Sequence, residues 1–516
     1  MTRRVVGLAL LWAAFALLVW TFCVPQTPVD DAYITFRYVR HFAAGDGLVF
    51  NRGEGPLEGY SSLLWVLVLA PFSRLGVDLT ATAHGLGLLF GMATLAVVAL
   101  GGPRERPRFL GASALIVCLP WLYHVVNGLE TGLVALLIAL LTCLSPTTPR
   151  RRRWLGLVAV LLPLARPEGL IAVLVWSAAS QLASRRWQRH ALLLAAFAIA
   201  AFSGQLAFRL GYHHEWIANS ARAKMLPLGV ALLPGLLDVG RFLLTATGVG
   251  LGVLLALAAG GLRADDSADV QPRARLVFIA LFAPILATSG GDSFPLWRFF
   301  VPIAPVLLTA TDDGVQLLLS RRAWPKRTKV LAHGLVGLVL LTLLMGPWQL
   351  LLPMLRLEGQ WVKRWAAIGT QLGQILPPTT TIALAPVGAL PYQANFRVID
   401  LLGLNDAHIA HLPPDSSYFY PGHQRHDGPY VLSRRPDLIF LANGPVVQDP
   451  AQPFPWQEVR VYEQDLLRDP HLKQDYHLVA LPIANGLFLQ ILARKDFVDA
   501  QHPTWRILDG MQPGPL

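Results

Sequence analysis

At 516 residues the chain is 54% hydrophobic and only 15% charged, with a mean hydropathy of +0.47. Soluble domains carry about a quarter charged residues and disordered chains lack apolar surface, so both classes are excluded. The net charge of +11 does not mark a nucleic-acid binder, because Arg and Lys sit in short clusters between apolar stretches, the positive-inside pattern of a membrane protein.

In chain order, apolar runs long enough to cross a bilayer fall near 5–24, 61–77, 82–100, 109–126, 130–145, 190–209, 238–262, 275–289, 298–319 and 329–352. Met1-Thr2-Arg3-Arg4 precedes the first run, which lacks a small-residue cleavage site and reads as an uncleaved helix with its N-terminus inside. Residues 154–184 are broken by Leu164-Ala165-Arg166-Pro167-Glu168-Gly169 and predict a hairpin of two short helices. Arg150 to Arg153, Arg185 to Arg189 and Arg321 to Lys329 read as cytoplasmic loops. Loops of mixed polarity alternate with them and therefore share the outer face. Arg104, Arg106 and Arg108 break the pattern: either one segment between Tyr60 and Leu100 is only partly inserted, or this loop violates the charge rule.

After Leu352 the composition shifts to Pro, His, Gln and Asp, with β-rich runs at 380–385, 396–401, 438–442, 477–482 and 487–494. The predicted architecture is a polytopic α-helical membrane protein of about 11 spans, with a C-terminal extracytoplasmic α/β domain. Residues 1–352 form the transmembrane domain, with a first outer loop at 25–60, and 353–516 the outer domain. The three cysteines, Cys23, Cys118 and Cys143, lie in or beside apolar segments, so neither a disulfide framework nor a zinc site is implied.

The sharpest chemical signal is Asp30-Asp31 in the first outer loop, two adjacent carboxylates where the first helix leaves the bilayer. Low-dielectric surroundings raise a carboxyl toward the range of a general base, whereas the plainer role for Asp30 is to cap a helix beginning at Ala32. Glu58, beside Tyr60, enters an apolar segment, as an intramembrane carboxylate or as an interfacial residue. The Gly45-Asp46-Gly47 turn between them folds the loop.

Asp30-Asp31-Ala32-Tyr33-Ile34-Thr35-Phe36-Arg37-Tyr38, Gly47-Leu48-Val49-Phe50-Asn51 and Glu58-Gly59-Tyr60-Ser61-Ser62-Leu63-Leu64-Trp65 resemble integral-membrane glycosyltransferases of the GT-C class. The resemblance is to the mycobacterial terminal β-(1→2)-arabinofuranosyltransferases and their bacterial relatives in particular. Further matches follow in order at Gly128 to Thr131, Arg166 to Gly169, Asn219 with Lys224, Gly290-Gly291-Asp292 before Arg298 to Pro302, Val398 to Asp406 and Gly422-His423.

The resemblance implies a bacterial cytoplasmic (inner) membrane enzyme that moves a sugar, arabinofuranose, from a polyprenyl-phosphate donor to a hydroxyl of a glycan or glycoprotein acceptor outside that membrane. Membrane lipids are then partners and nucleic acid is not. Asp30 or Asp31 would be the base. Arg298, Lys224, Arg222 or Arg166 would neutralise the leaving phosphate, with a divalent cation as the other means. Glu130, Glu168 and Asn219 suit sugar hydroxyls, although Arg166 and Glu168 can equally pair with each other at the hairpin tip. Asp292 is a helix cap or a sugar ligand. Asp400 and Asp406 fit backbone turns better than a site. His423 and His426 lack metal-ligand spacing, so no metal centre is expected there, and His423 counts as a substrate contact.

A transporter or flippase of a lipid-linked or small solute also carries intramembrane charges. It would place them near the midplane of both halves, whereas here the polar clusters fall at one face.

Overall fold

The computed structural model describes residues 2–508 apart from 27, 102–107, 145, 147, 185–186, 246–269, 321–324 and 502–504. The chain divides into two compact units: Met1–Val29, Ser62–Gly211 and Leu226–Gly359 form the first, and Asp30–Ser61, Tyr212–Met225 and Gln360–Leu516 the second.

The first unit is helical. Among the described residues, five helices are long and apolar enough to cross a membrane: Arg4–Gln26, Leu79–Leu100, Arg189–Tyr212, Leu228–Thr245 and Val270–Ala287. Two bent pairs raise this to seven. One is Phe109–Leu115 with Leu119–Val126, turning by 70° where the second piece starts with a proline in its first turn. Leu10, Leu17, Leu193, Phe197 and Leu233 remain exposed on these helices, as lipid-facing side chains must. Ser62 and Asp78 cap the helices that follow them, accepting from the amides of Trp65 and Ala81 at 3.1 and 2.7 Å.

Several expectations are refined. Residues 61–77 contain only the 12-residue helix Leu63–Arg74, about 18 Å long, too short for a hydrocarbon core of about 30 Å. The hairpin forms as two 17-residue helices, Pro149–Ala165 and Glu168–Ser184, broken at Arg166-Pro167 because the residue before a proline is driven out of the helical region. The end of the 238–262 run lies outside the described residues, as do Arg104, Arg106, Arg185, Arg186, Arg321 and Arg322.

The expected domain boundary after Leu352 falls inside a helix, Trp348–Ile375, and the compact second unit takes it up from Gln360. Val362, Trp365, Ile368 and Leu372 are buried there at helical spacing, so apolar periodicity carries the helix through the composition change.

The second unit is built on a mixed sheet of β1 (Thr381–Leu384), β2 (Arg397–Asp400), β3 (Leu438–Ile439), β4 (Val446–Val447), β5 (Tyr476–Ile483), β6 (Leu487–Arg494) and β7 (Arg506–Ile507). Its order is β2-β1-β3-β6-β5-β7, with β4 also pairing with β6. β1 runs parallel to β2 and β3, and the remaining pairs are antiparallel. All five expected strands are present; β4 and β7, two residues each, are additional. The first outer loop folds with this unit, as does the 212–225 segment, although both lie far from it in sequence.

Candidate active site

Within the second unit, helix Asp30–Ala44 is buried all round from Ala32 to Val39, with Ile34, Phe36 and Tyr38 among its apolar side chains, and carries Arg37 into the interior. The guanidinium of Arg37 donates to the carbonyls of Phe50 (2.7 Å), Pro391 (2.9 Å) and Phe396 (2.6 Å) and to Asn51 Oδ1 (3.1 Å). It thus ties the outer loop to the segment joining β1 and β2. Burial pulls its pKa down to about 9. Sequence reasoning named no role for Arg37; its signal was an arginine on the apolar face of an amphipathic helix.

The two adjacent carboxylates have different surroundings. Asp30 opens its helix rather than preceding it. It caps another one: its oxygens accept from the amides of Gly388 at 3.1 Å and Ala389 at 2.7 Å, at the start of helix Ala389–Ala394. Gly388 is required, since a Cβ there would lie 2.0 Å from the Asp30 carbonyl oxygen. Asp31 is more open, with its side chain 20% exposed and its Oδ2 3.5 Å from Lys224 Nζ.

Lys224 ends the short helix Asn219–Lys224, and its stem packs against Gly422. The charges of Lys224 and Asp31 both act on the ring of His423, which stacks on Tyr420 at 4.1 Å between centroids. Burial holds the His423 pKa at about 4, so the imidazole is neutral at pH 7. Asp31, Lys224 and His423 therefore form one partly open polar cluster.

Other expected site residues of this unit are engaged elsewhere. Asn219 donates its amide nitrogen to the carbonyls of Gly403 and Leu404 at 2.8 and 2.9 Å. Arg222 pairs with Glu215 at 2.7 Å. The Tyr60 hydroxyl meets His213 Nε2 at 3.1 Å, and Glu58 is buried one residue before Gly59, where a Cβ would strike Asn405. Asp400 accepts from the amides of Leu402 and Asn405, the turn role expected of it, and burial raises its pKa to about 6. Asp406 caps Ala407–His411 through the Ile409 amide.

The first unit gathers a second set. Arg166 lies 3.4 Å from Glu130 and 3.3 Å from Glu168, and Arg298 binds both oxygens of Asp292 at 2.9 and 3.0 Å. Both guanidiniums lie over the ring of Phe299, at 5.1 and 5.2 Å, and Arg298 also lies over Phe294 at 4.4 Å. Three carboxylates thus surround two arginines. Tyr123 went unnamed in the sequence, although the Arg298 charge acts on it; its buried hydroxyl has no hydrogen-bond partner among the described residues.

A third cluster was also overlooked. Asp313 accepts from Arg108 at 2.6 Å and from Arg275 at 3.0 Å, while Asp312 takes the Gly111 amide at 2.8 Å. Two adjacent aspartates inside a predicted span were the available signal.

We expect Arg298→Lys to lower the melting temperature of the purified protein by the equivalent of about 1–3 kcal/mol, since an ammonium cannot satisfy both Asp292 oxygens. An unchanged melting temperature would show that the fork does not hold the 292–298 turn.

A helical membrane unit with several broken helices, carried with a mixed α/β unit that absorbs the first acidic loop, is the GT-C fold of integral-membrane glycosyltransferases, and the chain is a multi-pass membrane protein. ArnT from Cupriavidus metallidurans, crystallised with undecaprenyl phosphate, superposes with a TM-score of 0.51 at 15% identity, covering 76% of this chain and 86% of that one. Its apo form gives a TM-score of 0.52 at 14% identity, covering 77% and 86%. In sequence, the chain is 28% identical over 222 residues to the terminal β-(1→2)-arabinofuranosyltransferase of Mycobacterium tuberculosis, as the motifs led us to expect. That match spans 38% of this chain and 34% of the relative's length. Residues 355–507 match a domain of unknown function, DUF8728.

Proposed function

We propose that the protein is a membrane glycosyltransferase that moves a sugar, arabinofuranose, from a polyprenyl-phosphate donor to an acceptor hydroxyl on the outer side of the bacterial cytoplasmic membrane. The observation that carries the reading is the Asp31–Lys224–His423 cluster: an accessible carboxylate facing an ammonium, at the start of a helix fixed by Arg37 and Asp30. Asp31 takes the acceptor proton as that oxygen bonds to C1. The C1–O bond to phosphate breaks, and the electron pair leaves on the lipid phosphate. Lys224 is the cation for that phosphate: it lies beside the base and its pair with Asp31 is loose, at 3.5 Å, whereas Arg298 grips Asp292 through both oxygens and Arg166 lies between two carboxylates.

The kinship with an arabinofuranosyltransferase supports the sugar, and the fold of a protein crystallised with undecaprenyl phosphate supports the carrier. Purified protein given a synthetic polyprenyl-phosphate arabinose and an arabinan acceptor should consume donor and release polyprenyl phosphate. Absence of consumption, with uptake of the donor into vesicles, would favour a transporter.

The basic loops predict the N-terminus inside and the second unit outside. A periplasmic reporter fused after Leu516 should be active, and one active only in the cytoplasm would overturn the outward site.

A further inference from the structure

Apart from the clusters above, the first unit carries a cavity of about 500 Å³ between helices Pro149–Ala165 and Arg189–Tyr212. Its walls are of two kinds. Gly156, Leu157, Val160, Leu193, Leu194 and Phe197 make an apolar trough, and Arg152, Arg153, Arg189 and His190 stand together at one end of it. The division follows from the two sequences: each helix opens on a basic turn and continues as an apolar stretch. Gly156 keeps the trough open, since a Cβ there would press on the Phe197 ring at 3.3 Å.

The basic end is unusual in its partners. Three buried arginines of this unit face carboxylates: Arg108 and Arg275 face Asp313, and Arg298 faces Asp292. Among the described residues, Arg152, Arg153 and Arg189 pair with none; the Nε of Arg152 donates to the Pro146 carbonyl at 3.0 Å. His190 Nε2 is buried without a hydrogen-bond partner among the described residues. Three exposed guanidiniums with no carboxylate among the described residues, gathered with the buried His190 ring nitrogen at the mouth of an apolar trough, make a site whose charge favours an anion. A free anion would leave the trough beneath them empty, and a neutral lipid would leave the charges unmet.

We propose that this cavity is a binding site for one anionic phospholipid, its phosphate held by Arg152, Arg153, Arg189 and His190 and an acyl chain laid along Leu157, Val160, Leu193 and Phe197. The site lies at the basic-loop end of the two helices and is independent of the glycosyltransferase reading. Its volume lies within the range of ordinary small-ligand sites. Basic pockets between membrane helices favour anionic headgroups for the same electrostatic reason, each cation near the surface contributing a factor of about five.

The test is native mass spectrometry of the full-length protein released from nanodiscs of equal phosphatidylglycerol and phosphatidylcholine. Wild type should retain phosphatidylglycerol in preference to phosphatidylcholine. Arg153→Gln with Arg189→Gln should weaken retention about 30-fold, from two lost cations. Both side chains are exposed, so the fold should survive the change. Arg150→Gln with Arg151→Gln removes the same charge outside the cavity and should weaken retention by a clearly smaller factor. Leu193→Trp fills the trough with the cations intact and should also displace the lipid. Equal retention of both lipids, equal loss in the two arginine pairs, or full retention in Arg153→Gln with Arg189→Gln would each overturn the site.

Discussion

Asp31→Asn is expected to lower turnover by about 10²- to 10⁴-fold, the usual cost of removing a general base, with little change in melting temperature. The side chain is 20% exposed and its pair with the Lys224 ammonium is long, at 3.5 Å, so solvent screening leaves that pair little weight in the fold. Asp30→Asn should behave oppositely. Its carboxylate accepts two amide hydrogens at 2.7 and 3.1 Å, and an amide in its place sets an N–H against one of those donors. That should cost about 1–3 kcal/mol of stability, and activity should follow the folded fraction. The two variants are told apart by measuring turnover and thermal unfolding on the same preparations. Wild-type turnover in a folded Asp31→Asn would end the assignment of the base, and a large loss of turnover in a stable Asp30→Asn would transfer it.

Arg37→Met should be the most destabilising single change in the second unit. It removes a buried cation and leaves the carbonyls of Phe50, Pro391 and Phe396 without their donor. Breaking such a group from one side costs about 3–5 kcal/mol, enough to release the first outer loop from the segment between β1 and β2. Limited proteolysis should then cut within residues 45–60 in the variant and spare them in wild type. Lysine at this position should not rescue, because one ammonium cannot reach four acceptors in a planar array. A variant that resists protease and melts like wild type would show that the loop is held by its apolar face alone.

Much of this protein was legible along the chain because membrane helices report themselves in composition. Twenty apolar residues in a row have few alternatives to crossing a bilayer, and a proline after arginine breaks such a run predictably, as at Arg166-Pro167. Strands β1, β2, β3, β5 and β6 were visible for a related reason, lying in short apolar runs between turn residues. Asp30 and Asp31 also stood out, since carboxylates beside a span are costly without a purpose.

Their roles could not be separated from sequence, because that choice is made by partners distant in the chain. Asp30 is occupied by amides 358 and 359 residues away, and Asp31 by a lysine 193 residues away. The domain boundary shifted for a similar reason. Composition changes at Leu352, but the helix continues because Val362, Trp365, Ile368 and Leu372 are buried along it, and burial is a property of the folded unit. Composition and apolar period are local and therefore determined the class of protein and most of its elements. Hydrogen bonds and ion pairs join residues by distance in space, so only the tertiary structure decided which carboxylate is held as a cap and which faces a lysine.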